Sequence, residues 1–168
     1  MSATQIGRSL VRNADAAERR WFYGGGVHTW LARSADTGGA FLLCEMSMGA
    51  GKATPLHTHP ADETLVVLEG ELLVHLDGAN HRVTAGGLAL APAGVPHAFL
   101  VGPDGARMLC LHTPGTCEAF YLGASEPIDA DTSTGLVDFD RVAASARENG
   151  GIELLGPPPF SAEAPAGS

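Results

Sequence analysis

Backbone punctuation constrains this chain more than any other feature. From residue 26 to residue 115, short apolar runs alternate with turn signals. Val27–Ala32 ends at the turn Ser34–Gly39, Phe41–Met48 at Gly49-Ala50-Gly51, and Leu56–His59 at Pro60. Glu63–Leu68 ends at Glu69-Gly70, and Glu71–Leu76 ends at Asp77-Gly78. Asp-Gly is a strong hairpin signal, because both residues accept positive φ. His81–Thr84, Leu88–Ala91, Ala98–Val101 and Arg107–Thr113 continue the series, each closed by Gly or Pro. A turn every roughly 8–12 residues predicts about nine strands in a sandwich or barrel. No long amphipathic helix intervenes, so an alternating strand–helix fold is not expected.

Composition agrees with this reading. The 22 Gly and 11 Pro make 33 of 168 residues, close to one in five, and they disfavour long helices. They follow no three-residue period, which excludes collagen. Hydrophobic residues are 45% and charged residues 17%, so the chain has material for a core and is not disordered by composition. Its length suits a single domain. The net charge is 10 − 19 = −9, Lys52 is the only lysine, and Arg19-Arg20 is the only basic pair. No nucleic acid partner and no membrane surface is expected of so acidic a chain. Cys44, Cys110 and Cys117 form no Cys-x-x-Cys pair. The first twenty residues contain no apolar signal segment. Together these predict a reducing, cytoplasmic setting.

The chain divides into four segments. Residues 1–26 read as a leader, 27–115 as the β-barrel, 116–160 as a helical extension and 161–168 as a flexible tail. In the extension, Thr116–Leu122 predicts a short helix and Ser125–Gly135 a linker. Asp138 is placed to cap a helix running to Asn149, with Phe139, Val142, Ala143 and Ala146 on one face. This helix is expected to pack outside the barrel, with Phe139 as a staple.

One set of residues carries chemistry. His57 and His59 are two apart on a strand-like segment, so they share a face. Glu63 opens the next apolar run, and His97 opens another after Pro96. Neighbouring strands can present all four side chains inside a barrel. Three imidazoles and a carboxylate suit one divalent transition metal, Fe, Ni, Mn, Co, Cu or Zn, with coordination positions left for a substrate. Leu65 and Val67 share the face of Glu63 by strand alternation, and Leu65, Val67, Phe99, Val101, Met108 and His112 are the candidate substrate-binding residues, His112 being either a pocket-lining acid/base group or a strand-end residue.

The spacing Gly51-x5-His57-x-His59-x3-Glu63-x6-Gly70 resembles the first motif of the cupin superfamily at every fixed position. Gly86-x5-Pro92-x-Gly94-x2-His97 resembles the second, and the short interval between them is that of small bacterial monocupins. Cupin second motifs often carry Asn four residues after the His, where this chain has Val101. The resemblance covers residues 27–115. It implies a double-stranded β-helix, or jelly-roll, barrel of the all-β class with a short C-terminal helical extension. It further implies His57, His59, Glu63 and His97 as metal ligands, and a homodimer. Trp21–Gly26, Asp36–Phe41, Val67–Leu72 and Ile152–Pro159 are similar to bacterial cupins described as quercetin 2,3-dioxygenase-like. That narrower likeness implies an oxidoreductase, a metal-dependent dioxygenase that uses O2 to cleave a flavonol or similar enolisable aromatic. Glu63 would then be both ligand and catalytic base. Two other functions fit the same residues: a non-redox cyclase or isomerase of the cupin type, and a small-molecule-binding cupin without catalysis.

Overall fold

The computed structural model describes residues 8–128 and 135–161. The outer parts of the predicted leader and tail (residues 1–7 and 162–168), and positions 129–134 of the predicted linker, lie outside the described residues. Ten strands and two α-helices follow in order: β1 Glu18–Phe22, β2 Gly26–Ala32, β3 Leu42–Met48, β4 Leu56–Thr58, β5 Asp62–Leu76, β6 Ala79–Thr84, β7 Leu88–Ala91, β8 His97–Thr113, α1 Glu118–Gly123, β9 Ser125–Pro127, α2 Phe139–Asn149 and β10 Glu153–Gly156. Neighbours pair antiparallel throughout. The expected jelly roll is therefore present.

Two long strands build it. The predicted runs Glu63–Leu68 and Glu71–Leu76 form one strand, β5, and Ala98–Val101 and Arg107–Thr113 form one strand, β8. They pair along most of their length, with register shifts on either side of Gly70. Each strand thus belongs to both walls of the barrel. The first wall runs β9, β1, β2, β3, then the second half of β8, the first half of β5 and β7. The second joins β10, β4, the first half of β8, the second half of β5 and β6. Gly70 makes the corner: its φ is +74°, and a Cβ there would run into the Gly105 carbonyl oxygen.

The sheet begins earlier than position 27. Glu18–Phe22, inside the predicted leader, pairs with Gly26–Trp30 across the triple-glycine turn. The linker likewise opens as a strand, since Ser125–Pro127 pairs with Arg20–Phe22. α1 starts two residues after Thr116 and has no side-chain cap. α2 starts where predicted, and the Asp138 carboxylate accepts the Arg141 backbone N–H.

Two apolar clusters fill the molecule. Leu65, Val67, Leu72, Val74, Phe99, Val101, Met108 and Cys110 belong to the barrel core. Trp21, Phe22, Trp30, Leu42, Phe120, Tyr121 and Val142 belong to a second cluster, where the helices close one end of the barrel. Ser145 on α2 donates to the Phe120 carbonyl at 2.7 Å, and Arg141 donates to the Tyr23 hydroxyl at 2.8 Å, which fixes α2 to the rest.

Candidate metal centre

His57, His59, Glu63 and His97 converge between the two clusters. His57 on β4 is the register partner of His97 at the start of β8. Glu63 near the start of β5 is the partner of His112 at the end of β8. The ring centroids of His57 and His97 are 4.3 Å apart, and those of His59 and His97 4.8 Å. All four side chains are buried.

The chain aims each imidazole with the same device. The Nδ1 atoms of His57, His59 and His97 lie 2.7, 2.8 and 2.8 Å from the carbonyl oxygens of Pro55, Ala61 and Val95, each two residues away. A carbonyl only accepts, so each Nδ1 carries the proton. In a neutral ring Nε2 is then a lone pair. Glu63 Oε2 lies 2.8 Å from His59 Nε2 and 3.1 Å from His97 Nε2. Acceptor would face acceptor unless a proton or a cation lies between them. A metal ion resolves the conflict, because carboxylates and neutral Nε2 atoms are its ligands. Two ligand atoms bound at right angles to an ion, each at ~2.1 Å, lie ~3 Å apart, which matches the observed contacts. One ligand atom from each of the four residues falls within 4.8 Å of the others. The donor set and its spacing fit a transition metal.

Electrostatics agree. Burial opposes ionisation of Glu63, but in the absence of an ion the hydrogen bonds from protonated rings of His59 and His97 outweigh it and hold the carboxyl well below its ordinary range. Burial and the neighbouring His97 push His57 down to about 4, so its ring is neutral and free to ligate. On His97 burial works against protonation, yet the Glu63 hydrogen bond and charge leave its pKa raised.

A pocket opens on this cluster. His57, Glu63 and Phe99 line it with Phe22, Met46, Met48, Phe120, Tyr121, Phe139, Val142, Ile152 and Leu154. Of the candidate substrate-binding residues, Phe99 is on its wall. Leu65 faces a smaller cavity with Glu63 and His97. Val67, Val101 and Met108 are wholly buried in the barrel core instead, because the barrel interior is filled by its own side chains. His112 lies behind Glu63, with Nε2 3.6 Å from Oε2, and burial lowers its pKa to about 4. Phe139, expected as a staple, lies at the pocket mouth and is 48% exposed. The motifs do not reveal Phe22, Phe120, Tyr121, Ile152 or Leu154, which come from segments before and after the barrel. Phe22, Ile152 and Leu154 fall in the segments similar to quercetin 2,3-dioxygenase-like cupins, and Phe120 and Tyr121 in the predicted short helix, but neither signal points them at the pocket.

The fold and the inward set of three histidines and one glutamate define a small β-barrel with a candidate metal site. A cupin domain family model matches residues 44–112. Quercetin 2,3-dioxygenase of Bacillus subtilis (strain 168) is 32% identical over 121 residues, which are 71% of this chain and 35% of that relative. The chain thus matches about a third of the relative's length. Among solved structures, an RmlC-like cupin from Shewanella frigidimarina aligns with a TM-score of 0.57 at 22% identity, over 65% of this chain and 95% of that one. The polyketide cyclase RemF from Streptomyces resistomycificus aligns with a TM-score of 0.56 at 20% identity, over 80% and 91%. The chain belongs to the cupin superfamily.

Proposed function

We propose that this protein is a metal-dependent oxygenase that cleaves a flavonol or similar enolisable aromatic with O2. The observation that carries the reading is the pocket in which a carboxylate ligand, Glu63, meets aromatic and thioether walls. Phe22, Phe99, Phe120, Met46 and Met48 suit a flat apolar ring system. No Arg or Lys among the described residues lines the pocket, so it offers no cationic side chain to a carboxylate or phosphate. The similarity to a quercetin 2,3-dioxygenase supports the same substrate class.

His57, His59, Glu63 and His97 would hold one divalent transition metal. That ion supplies Lewis acidity, which lowers the pKa of a bound hydroxyl. Glu63 accepts the substrate's hydroxyl proton at its carboxylate, and the apolar walls exclude water from the deprotonated ring. The three cysteines are free and buried, which suits a reducing cytoplasm. No helix among the described residues is long and apolar enough to cross a membrane.

A homodimer is part of the proposal. Leu88 and Leu90 stand 61% and 47% exposed on β7, beside Val66 and Thr64 of β5, with Leu109 and Leu111 of β8 next in register. This aliphatic outer face is the surface a second copy would cover. Sedimentation should show a dimer that a Leu88→Lys, Leu90→Lys variant dissociates.

Elemental analysis followed by loading with Fe, Co, Ni or Mn tests the activity. Each form is mixed with quercetin in air and under nitrogen. The expected result is O2-dependent loss of the flavonol absorbance with at least one metal. No such loss with any metal would overturn the reading.

A further inference from the structure

We infer that α2 is a lid over the pocket at Glu63 and His57, latched by Arg141 on Tyr23 and hinged at Gly150-Gly151, which lifts to admit the substrate. This rests on the proposed aromatic-substrate reading and adds how such a substrate reaches the site.

The pocket lined by Glu63, His57 and Phe99 has a volume of about 40 Å³. Sites that hold drug-sized ligands run to ~300–1,000 Å³. A flavonol enters only if one wall moves. Most walls are locked. Met46 and Met48 stand on β3, which is paired along both edges. Phe99 stands on β8, which is paired with β5 and bridged through Leu100 to Ala53. Phe120 and Tyr121 stand on α1, and β9 directly after it pairs with Arg20–Phe22.

α2, which brings Phe139 and Val142 to the pocket, is held by much less. Of its eleven residues only Val142 and Ser145 are buried, and Phe139 at the mouth is exposed. Near that mouth, the Asp138 backbone N–H donates to the Tyr23 carbonyl at 2.9 Å, and Arg141 Nη1 donates to the Tyr23 hydroxyl at 2.8 Å. The Arg141 guanidinium also lies over the Tyr23 ring, 4.9 Å from its centroid. These contacts form a latch. At the other end Gly150 and Gly151 have φ of +63° and +79°, and a Cβ on Gly150 would meet nothing within 4 Å. Such a glycine pair can absorb a backbone rotation. Beyond it the chain is held again: the Cys117 thiol donates to the Gly151 carbonyl at 3.1 Å, and β10 pairs with β4. A helix of this length spans ~16 Å, so a swing of ~20° about Gly150 lifts Phe139 by ~5 Å, more than the thickness of an aromatic ring.

Two measurements on Arg141→Met test the lid, since this change keeps the aliphatic stem and removes the guanidinium. The first needs neither substrate nor metal. In a Val142→Cys background, a thiol reagent reaches position 142, which is buried under the closed helix, only when the helix lifts. Arg141→Met should speed that labelling about five- to tenfold, the value of an exposed hydrogen bond and cation–π contact, while Cys110 in the barrel core stays unlabelled. The second is stopped-flow binding of 3-hydroxyflavone to metal-loaded protein under nitrogen. The latch closes the free and the bound protein alike, so association and dissociation should both accelerate by a similar factor, with Kd within about twofold. An unchanged labelling rate overturns the lid, and so does labelling of Cys110 as fast as position 142. An unchanged association rate overturns its role in admitting the substrate. If wild type does not bind 3-hydroxyflavone, the aromatic-substrate reading falls, and the labelling rates still decide whether α2 lifts.

Discussion

At the scale of single residues, the centre depends on where protons sit. Three imidazoles give their Nδ1 protons to nearby carbonyls, and three Nε2 lone pairs are thereby aimed at one point with Glu63. Removing one ligand should cost at least the roughly 10–100-fold in metal affinity typical of lost supporting contacts. Metal stoichiometry after dialysis is expected to fall well below one in His57→Ala and in His97→Ala, and retained metal in both would discard the site. Glu63→Gln replaces a carboxylate by an amide of the same shape. It should lose at least about tenfold in metal affinity, read by chelator competition, and should lose turnover even when metal is supplied in excess. The four ligands were legible in the sequence because their spacing is local. His57 and His59 share a face by strand alternation, and prolines fix the chain around them. Tyr121 was not legible, because nothing near residue 121 signals that α1 will close over the end of β8. His28 was equally silent: it is wholly buried, stacked on Phe22 at 4.8 Å, with neither ring nitrogen paired among the described residues.

At the scale of elements, the corner in β5 is the feature on which the barrel turns. Between residues 26 and 115 the Gly/Pro pattern marked the places where the chain leaves extended geometry. It could not distinguish a bend from a reversal. Asp77-Gly78 reverses the chain into β6, whereas Gly70 only bends it, and β8 stays paired on both sides. The difference lies in what surrounds each glycine. Both have positive φ, but a Cβ on Gly78 meets nothing within 4 Å, while one on Gly70 meets Gly105. Gly78→Ala should therefore cost only the backbone strain, ~1 kcal/mol. Gly70→Ala adds a backbone clash and should cost ~3 kcal/mol or more. Urea midpoints measure both, and equal losses would show that the corner is not a tight crossing. The capping of α2 by Asp138 was readable, since an N-cap is a local interaction. Its position over the pocket mouth depends on distant pairings such as Arg141 with Tyr23.

At the scale of the whole molecule, the helices and β10 convert an open barrel into one with a buried polar interior. That interior makes stability depend on pH. Burial lowers the pKa of His28 to about 3, and of His57 and His112 to about 4, from 6.5. Between pH 6.5 and 4 the unfolded chain thus binds more protons than the native one at these three sites. Stability rises with pH across that window and is lost as acid is added. Glu63 acts in the same direction at lower pH, because its native carboxyl titrates below its unfolded value. His97 opposes them: its pKa is raised, so its contribution is full below 6.5 and fades as pH rises through the native value. Three buried imidazoles outweigh the one. The metal-free protein is expected to melt at least ~10 °C lower at about pH 4.5 than at about pH 7.5, since a few kcal/mol moves a chain of this size by that much. His28→Leu removes one of the three groups and should flatten the profile without touching the metal ligands. A melting temperature that does not change across that range would mean that these rings are reached by water or by partners in the folded state.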